Sequence, residues 1–246
     1  GALLISDLQL LMTHRWGSYV VMALLEPATP LFTMVRNEGR TNFPELSSNE
    51  FSSRVLQVIL EKDIDFCYFV LKFSRENLES VISKISSTFL LSAAISTVRN
   101  ERHFSFVLEA LRDQPGQYMK NRYFKRVLVS VLQSCPKQTL QELYSLLDIH
   151  RKFRSFFQDK YNTYIILEFF KRSYEPLLSI FAKAVFGEFN RILNSKFFKV
   201  FATKISQVAA PQITDFITGI MRHAKFGVNP KGCLSLASVS LAHASK

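Results

Sequence analysis

The sequence predicts an all-α array of stacked helical repeats, about six of them with a period near 36 residues. Three observations lead there. Glycines number 8 in 246 residues and strict apolar–polar alternation is scarce, which disfavours a sheet. One residue pattern returns at a nearly fixed spacing. Proline recurs at two fixed phases of that spacing.

The clearest copy of the pattern is Glu50–Glu61. Val55, Leu56, Ile59 and Leu60 recur at helical spacing and face a core. Ser53, Arg54 and Gln57 fall at i, i+1 and i+4, which gathers them on one polar edge of the same helix. A short hydroxyl, a guanidinium and an amide on one edge suit a planar polar ligand, the amide bonding an edge and the guanidinium stacking on a face. Related stretches are Arg15–Glu26, Arg122–Leu132, Lys160–Phe170 and Lys196–Thr203, with a weaker copy at Ser87–Ser92. The positions equivalent to Ser53 are 18, 53, 88, 125, 163 and 199, spaced by 35, 35, 37, 38 and 36. A fixed period of this size marks a stacked repeat array. Pro30, Pro136, Pro176 and Pro211 follow their anchors by 12, 11, 13 and 12 residues, and Pro44 and Pro115 precede the next anchor by 9 and 10. Each unit then reads as an anchor helix, a proline-marked turn and a second helix. Its apolar face is buried only by stacking on a neighbour.

In chain order, residues 1–12 form an amphipathic N-terminal capping helix on Leu3, Leu4, Leu8 and Leu11, packed on the first anchor helix. Residues 37–50 read as loop, leaving the first repeat with a shortened second helix. Asp63 to Ile85 carries an amphipathic helical pattern on Phe66, Phe69, Val70 and Phe73, then Leu78, Val81 and Ile82. Residues 101–111, 138–157 and 177–193 supply the second helices of the third, fourth and fifth repeats. Residues 13–222 hold about six repeats. Residues 223–246 read as a loop and then a terminal cap or degenerate repeat, with Cys233 near an anchor position. The expectation is one elongated domain over residues 1–246.

Formal net charge is +11, so the expected partner is anionic. Cys67, Cys135 and Cys233 lie far apart and are odd in number, which points to reduced intracellular thiols and to neither a disulfide framework nor a zinc site. No cofactor is expected. No uncharged apolar run reaches the ~18 residues of a membrane span. The opening Gly1-Ala2-Leu3-Leu4, without an initiator methionine or a basic stretch, reads as an internal edge with any targeting signal outside it. His14, His103, His150, His223 and His243 have no catalytic company at a recognisable spacing, and phosphate-binding glycine motifs are absent, so an enzyme is not expected.

The period, together with Trp16-Gly17-Ser18-Tyr19-Val20-Val21 and Phe51-Ser52-Ser53-Arg54-Val55-Leu56-Gln57, resembles the Pumilio (PUF) repeat over about residues 13–210. The resemblance implies a right-handed solenoid of three-helix repeats whose anchor helices line a concave face. It also implies single-stranded RNA as partner, one base per repeat, read by two edge residues and held by one stacking residue. Carried over by position, Ser53 and Gln57 become edge readers and Arg54 a stacker, a combination that resembles an adenine reader. Ser18 and Tyr19 take the edge and stacking places of the first repeat, Thr88, Phe89 and Ser92 the three places of the third. The fourth offers Lys125 and Arg126, the fifth Thr163 and Tyr164, the sixth Lys199 and Thr203 with Val200 at the stacking place.

Three repeats depart from that pattern at the second edge position, where Met22, Val129 and Leu167 have no group to bond a base edge. Five of six stacking positions remain aromatic or Arg. The expectation is therefore RNA binding of weak or partial base specificity, in post-transcriptional regulation or RNA processing, at a cytoplasmic or nuclear and nucleolar site. The alternative is a protein-binding scaffold of ARM or HEAT type, with a protein partner instead of RNA.

Overall fold

The structure, a computed structural model, describes residues 2–172. The chain divides into two compact units, Gly1–Thr139 and Leu140–Lys246. The anchor at position 199, the helix expected over 177–193 and the C-terminal cap lie outside the described residues, as do Lys199, Val200, Thr203 and Cys233.

Every regular element among the described residues is helical. The first unit opens with α1 (Ala2–Thr13), α2 (Gly17–Leu24) and α3 (Pro30–Thr41). A second group follows as α4 (Phe43–Ser48), α5 (Glu50–Lys62) and α6 (Ile64–Glu76), and a third as α7 (Leu78–Val81), α8 (Ile85–Val98) and α9 (Ser105–Asp113). α10 (Pro115–Tyr118) and α11 (Arg122–Ser134) begin a fourth. The unit boundary falls within α12 (Lys137–Leu146). The second unit continues with α13 (Ile149–Lys152), a 3-10 segment Phe153–Gln158 and α14 (Lys160–Lys171). The anchor helices expected from the sequence are α2, α5, α8, α11 and α14.

Within the first unit α2 packs on α5, α5 on α8 and α8 on α11, forming one layer. The third helix of the first two groups also rests on the next anchor helix, α3 on α5 and α6 on α8. This is the nearest-neighbour stacking of a helical-repeat array.

The expected loop over 37–50 is instead helical. α3 runs to Thr41 and α4 fills Phe43–Ser48. Thr29 starts α3 by accepting from the Phe32 amide, and Pro30 takes the first helical position, where no amide bond is lost. The polar run that reads as loop is absorbed by packing. Glu38 is buried, and its carboxylate accepts a 2.6 Å bond from Asn42. Gly39 faces the core, where an added Cβ would meet Leu56 Cδ2 at 2.7 Å. The pattern from 63 to 85 also divides, since α6 ends at Asn77 before α7 begins.

Phe43 joins α4 to α6 through edge-on contacts with Phe66, Phe69 and Phe73 at centroid distances of 6.4, 5.4 and 4.8 Å. Polar ties also link successive repeats. The Ser87 hydroxyl donates to Ser47 O at 3.1 Å, and the Tyr118 hydroxyl donates to Glu79 at 2.9 Å. Arg36 on α3 pairs with Asp63 at 3.2 Å, and Asp63 also caps α6 through the amides of Asp65 and Phe66. In the second unit Tyr144 meets Phe169 edge-on at 5.9 Å. No helix among the described residues is long and apolar enough to cross a membrane.

Candidate nucleic-acid interface

The site is built on the starts of the anchor helices. Four residues before three of the five described anchors stands a residue that caps the helix start. Asn49 accepts from the amides of Phe51 and Ser52, Asn121 from Tyr123 and Phe124, and Asp159 from Tyr161 and Asn162. His14 holds the equivalent place in the first repeat, where Nδ1 accepts from the Gly17 amide at 3.2 Å. Only Lys84, at the start of α8, caps nothing. Such caps satisfy amides that a helix start leaves open. The recurrence at minus four was available in the sequence and was not part of the expected pattern.

Once started, each anchor helix sorts its residues into columns. The anchor column is buried: Ser18 and Ser53 are 1% and 3% exposed, and Thr88, Lys125 and Thr163 are buried as well. The hydroxyls are spent on backbone. Ser18 donates to Arg15 O and Ser53 to Glu50 O, both at 3.1 Å, while Thr163 donates to Phe156 O at 3.1 Å and Asp159 O at 2.9 Å. Ser18, Ser53 and Thr163, expected as edge residues, thus lie in the packed seam with their hydroxyls bonded to backbone, as short hydroxyls on a helix readily do. Lys125, expected at the edge position of the fourth repeat, is buried too. Its stem is buried in the slot that serine fills elsewhere.

The next column is the open one. Tyr19 is half exposed, Arg54 is exposed, and Phe89, Arg126 and Tyr164 are partly exposed. Within the first unit its members meet across repeats. Arg54 donates to the Tyr19 hydroxyl at 3.3 Å, and the Arg126 guanidinium carbon lies 3.5 Å from the Phe89 ring centroid. Trp16 extends the aromatic surface beside Tyr19 at 6.4 Å, with Arg15 over its ring at 4.9 Å. The sequence expectation did not include Arg15 or Trp16.

The third column, at i+4, separates the repeats. Gln57 is half-buried, and its amide makes no hydrogen bond to any described residue. Ser92 is buried without a partner for its hydroxyl, and Leu167 is buried. Met22 and Val129 are half-buried and apolar. A planar polar group therefore finds both a free amide and a free guanidinium face on the α5 edge.

Elsewhere α6 and the 3-10 turn Glu101–His103 form an open groove of about 790 Å³, with Tyr68, Lys72, Arg75, Arg102 and His103 on its walls. Tyr68 and His103 are 4.7 Å apart there. Cys67 is buried and burial pushes its thiol up to about 11, so it is not a reactive thiolate at neutral pH. Among the described residues no group of three His, Cys, Asp or Glu is placed to hold a metal ion.

No family model matches the sequence, and no curated protein matches it. Solved structures do. PUF-8 in complex with PBE-RNA superposes with a TM-score of 0.71 at 18% identity, over 91% of this chain and 65% of that one. The Puf3 RNA binding domain bound to a Cox17 RNA 3′ UTR recognition sequence gives 0.70 at 16% identity, over 94% of this chain and 70% of that one. The RNA-binding domain of yeast Puf5p bound to AAT2 RNA gives 0.56 at 19% identity, over 90% of this chain and 66% of that one. The fold is the Pumilio helical-repeat fold. The chain spans about two thirds of the PUF-8 chain it matches. Within that fold α2, α5, α8, α11 and α14 are the anchor helices expected from the sequence.

Proposed function

We propose that this chain binds single-stranded RNA along the open edge of its anchor helices. Stacking and phosphate contact supply most of the affinity, and base reading is concentrated at the second repeat. The observation that carries this reading is the cross-repeat pairing of Tyr19 with Arg54 and of Phe89 with Arg126. Each pair joins a π-face or hydroxyl to a guanidinium from the next repeat. A base entering between Phe89 and Arg126 exchanges one stacked contact for two, and one entering beside Tyr19 and Arg54 replaces a hydrogen bond with stacking. Base stacking of this kind is worth about 1–3 kcal/mol per base and tolerates any sequence. On α5 the free Gln57 amide has the donor and acceptor that match adenine N7 and N6. The buried hydroxyl of Ser53 adds shape to that pocket, and Lys125 adds charge from within the layer. The net charge of +11 favours counterion release from bound phosphates. The matched PUF structures hold RNA, which supports the same partner here. Such binding fits a role in post-transcriptional regulation or RNA processing without catalysis.

The test is fluorescence anisotropy with short single-stranded RNA, random and adenine-containing, across a salt series. Binding that weakens with salt and falls again in Arg54→Ala is the expected result. No binding at low salt would overturn the proposal. A second reading, a protein-binding scaffold, rests on a different surface, the basic groove of Tyr68, Lys72, Arg75, Arg102 and His103. Charge reversal at Lys72 and Arg75 that leaves RNA affinity intact but abolishes binding of an acidic partner would favour it.

A further inference from the structure

In the second repeat a single residue, Asp63, joins the anchor helix α5 to α6, whereas in the third residues 99–104 join α8 to α9. That longer connection is held at several points. Arg99 ends α8 in the left-handed region at φ 49°, a conformation that strains a residue with a Cβ and persists only where its surroundings fix it. The Asn100 side chain then accepts from the Arg102 amide at 3.1 Å, which starts the 3-10 turn Glu101–His103. The Glu101 carboxylate accepts from the Thr139 hydroxyl, and Phe104 is fully buried. With Glu101 and Phe104 fixed on either side, Arg102 and His103 stand exposed against α6.

α6 meets them with a matching face. Tyr68, Lys72 and Arg75 fall at i, i+4 and i+7 and share one side of the helix. The Tyr68 and His103 rings are 4.7 Å apart, and the buried Leu71 also lines the groove. The side chains of Lys72, Arg75 and Arg102 make no hydrogen bond or ion pair with any described residue. Three open cations therefore line the groove with one carboxylate, Glu76. None of these residues belongs to the open column of the anchor helices.

We propose that this groove docks a short acidic peptide segment carrying one apolar side chain, alongside RNA on the anchor helices and not instead of it. The proposal rests on the groove given above as the second reading and does not depend on the first. Two guanidinium forks and an ammonium match carboxylates in number and geometry. Tyr68 and Leu71 offer the apolar surface on which such a segment anchors. RNA is the poorer occupant, because Glu76 repels a phosphodiester but accepts a hydrogen bond from a peptide amide. The groove, about 790 Å³ in volume, takes a few side chains and not a folded surface.

The experiment selects displayed random short peptides on the full chain. The expected outcome is enrichment of acidic sequences with one aromatic or aliphatic residue. A labelled peptide from that pool should bind more weakly as salt rises. Its affinity should fall about tenfold when Lys72→Ala, Arg75→Ala and Arg102→Ala are combined. Those three side chains are exposed, so helicity should hold; if it does not, Arg102→Ala alone is read for a loss in the same direction. Arg54→Ala with Arg126→Ala should leave peptide binding unchanged, and peptide binding by a chain that binds no RNA would still support the proposal. Absence of acidic enrichment, an affinity unmoved by the triple variant, or binding lost with Arg54 and Arg126 would overturn it. Short RNA that still binds the Arg54→Ala, Arg126→Ala chain but not the triple variant would assign the groove to nucleic acid and overturn it too.

Discussion

α5 and α11 hold the same place in the second and fourth groups of one array, yet they offer different chemistry to a ligand. Both begin with an asparagine that accepts from two amides, Asn49 and Asn121. Both bury their apolar columns completely, Leu56 on one and Leu128 on the other. On the open edge they part. α5 presents Arg54 beside a free Gln57 amide, while α11 presents Arg126 beside Val129. The comparison teaches that the framework and the proposed readout occupy different sides of one helix. The buried side is held nearly constant by packing, and the open side is free to change because it contributes little to the fold.

The strongest test of that separation is in the core. Leu56→Ala and Leu128→Ala are each expected to cost about 2–5 kcal/mol, measured by urea unfolding. A much smaller loss at one of them would break the equivalence of the two helices. Next come the open edges. Arg54→Ala and Arg126→Ala are expected to weaken RNA binding by similar amounts, about 1–3 kcal/mol each, with the unfolding midpoint unchanged. Exchange at the third column then sharpens the contrast. Gln57→Val should remove a preference for adenine on α5 and Val129→Gln should create one on α11, each worth about 1–3 kcal/mol in competition between RNA sequences. Asn49→Ala should cost about 1 kcal/mol of stability. Asn121→Ala should cost more, because the Asn121 amide also donates to Ile82 O at 3.2 Å. The smallest effect is expected at Ser53→Ala, a few tenths of a kcal/mol in stability, since only an intrahelical bond is lost. An RNA affinity that drops tenfold in this variant would show that the buried hydroxyl does read a base after all.

How far the sequence could be read follows the same division. The anchor spacing and the apolar columns were legible because helical periodicity is clear in most of the repeats, weakest in α8, and all five anchor helices among the described residues fall on the spacing. The helices α3 and α4 were hidden. Glu38, Gly39 and Asn42 look like loop residues until tertiary packing buries Glu38 with Asn42 as its partner and sets Gly39 against Leu56. At the interface the residues of the open column could be named from the repeat spacing, and the stacking role proposed for them came from the resemblance to the Pumilio repeat. Their contact across repeats could not be read, because it depends on the distance between neighbouring helices. The burial of Ser18, Ser53 and Thr163 was obscured for a different reason. A helical wheel gives direction but not depth, and these hydroxyls sit just inside the seam. The recurrent cap four residues before the anchor was present in the letters at Asn49, Asn121 and Asp159, and attention to helix starts would have found it.

Asn121 closes the first turn of its own helix and also grips the carbonyl of Ile82, thirty-nine positions back. One side chain thereby ties a local event to a distant one. The start of α11 therefore has this support only when the chain around Ile82 is in place, which couples the two neighbours in stability.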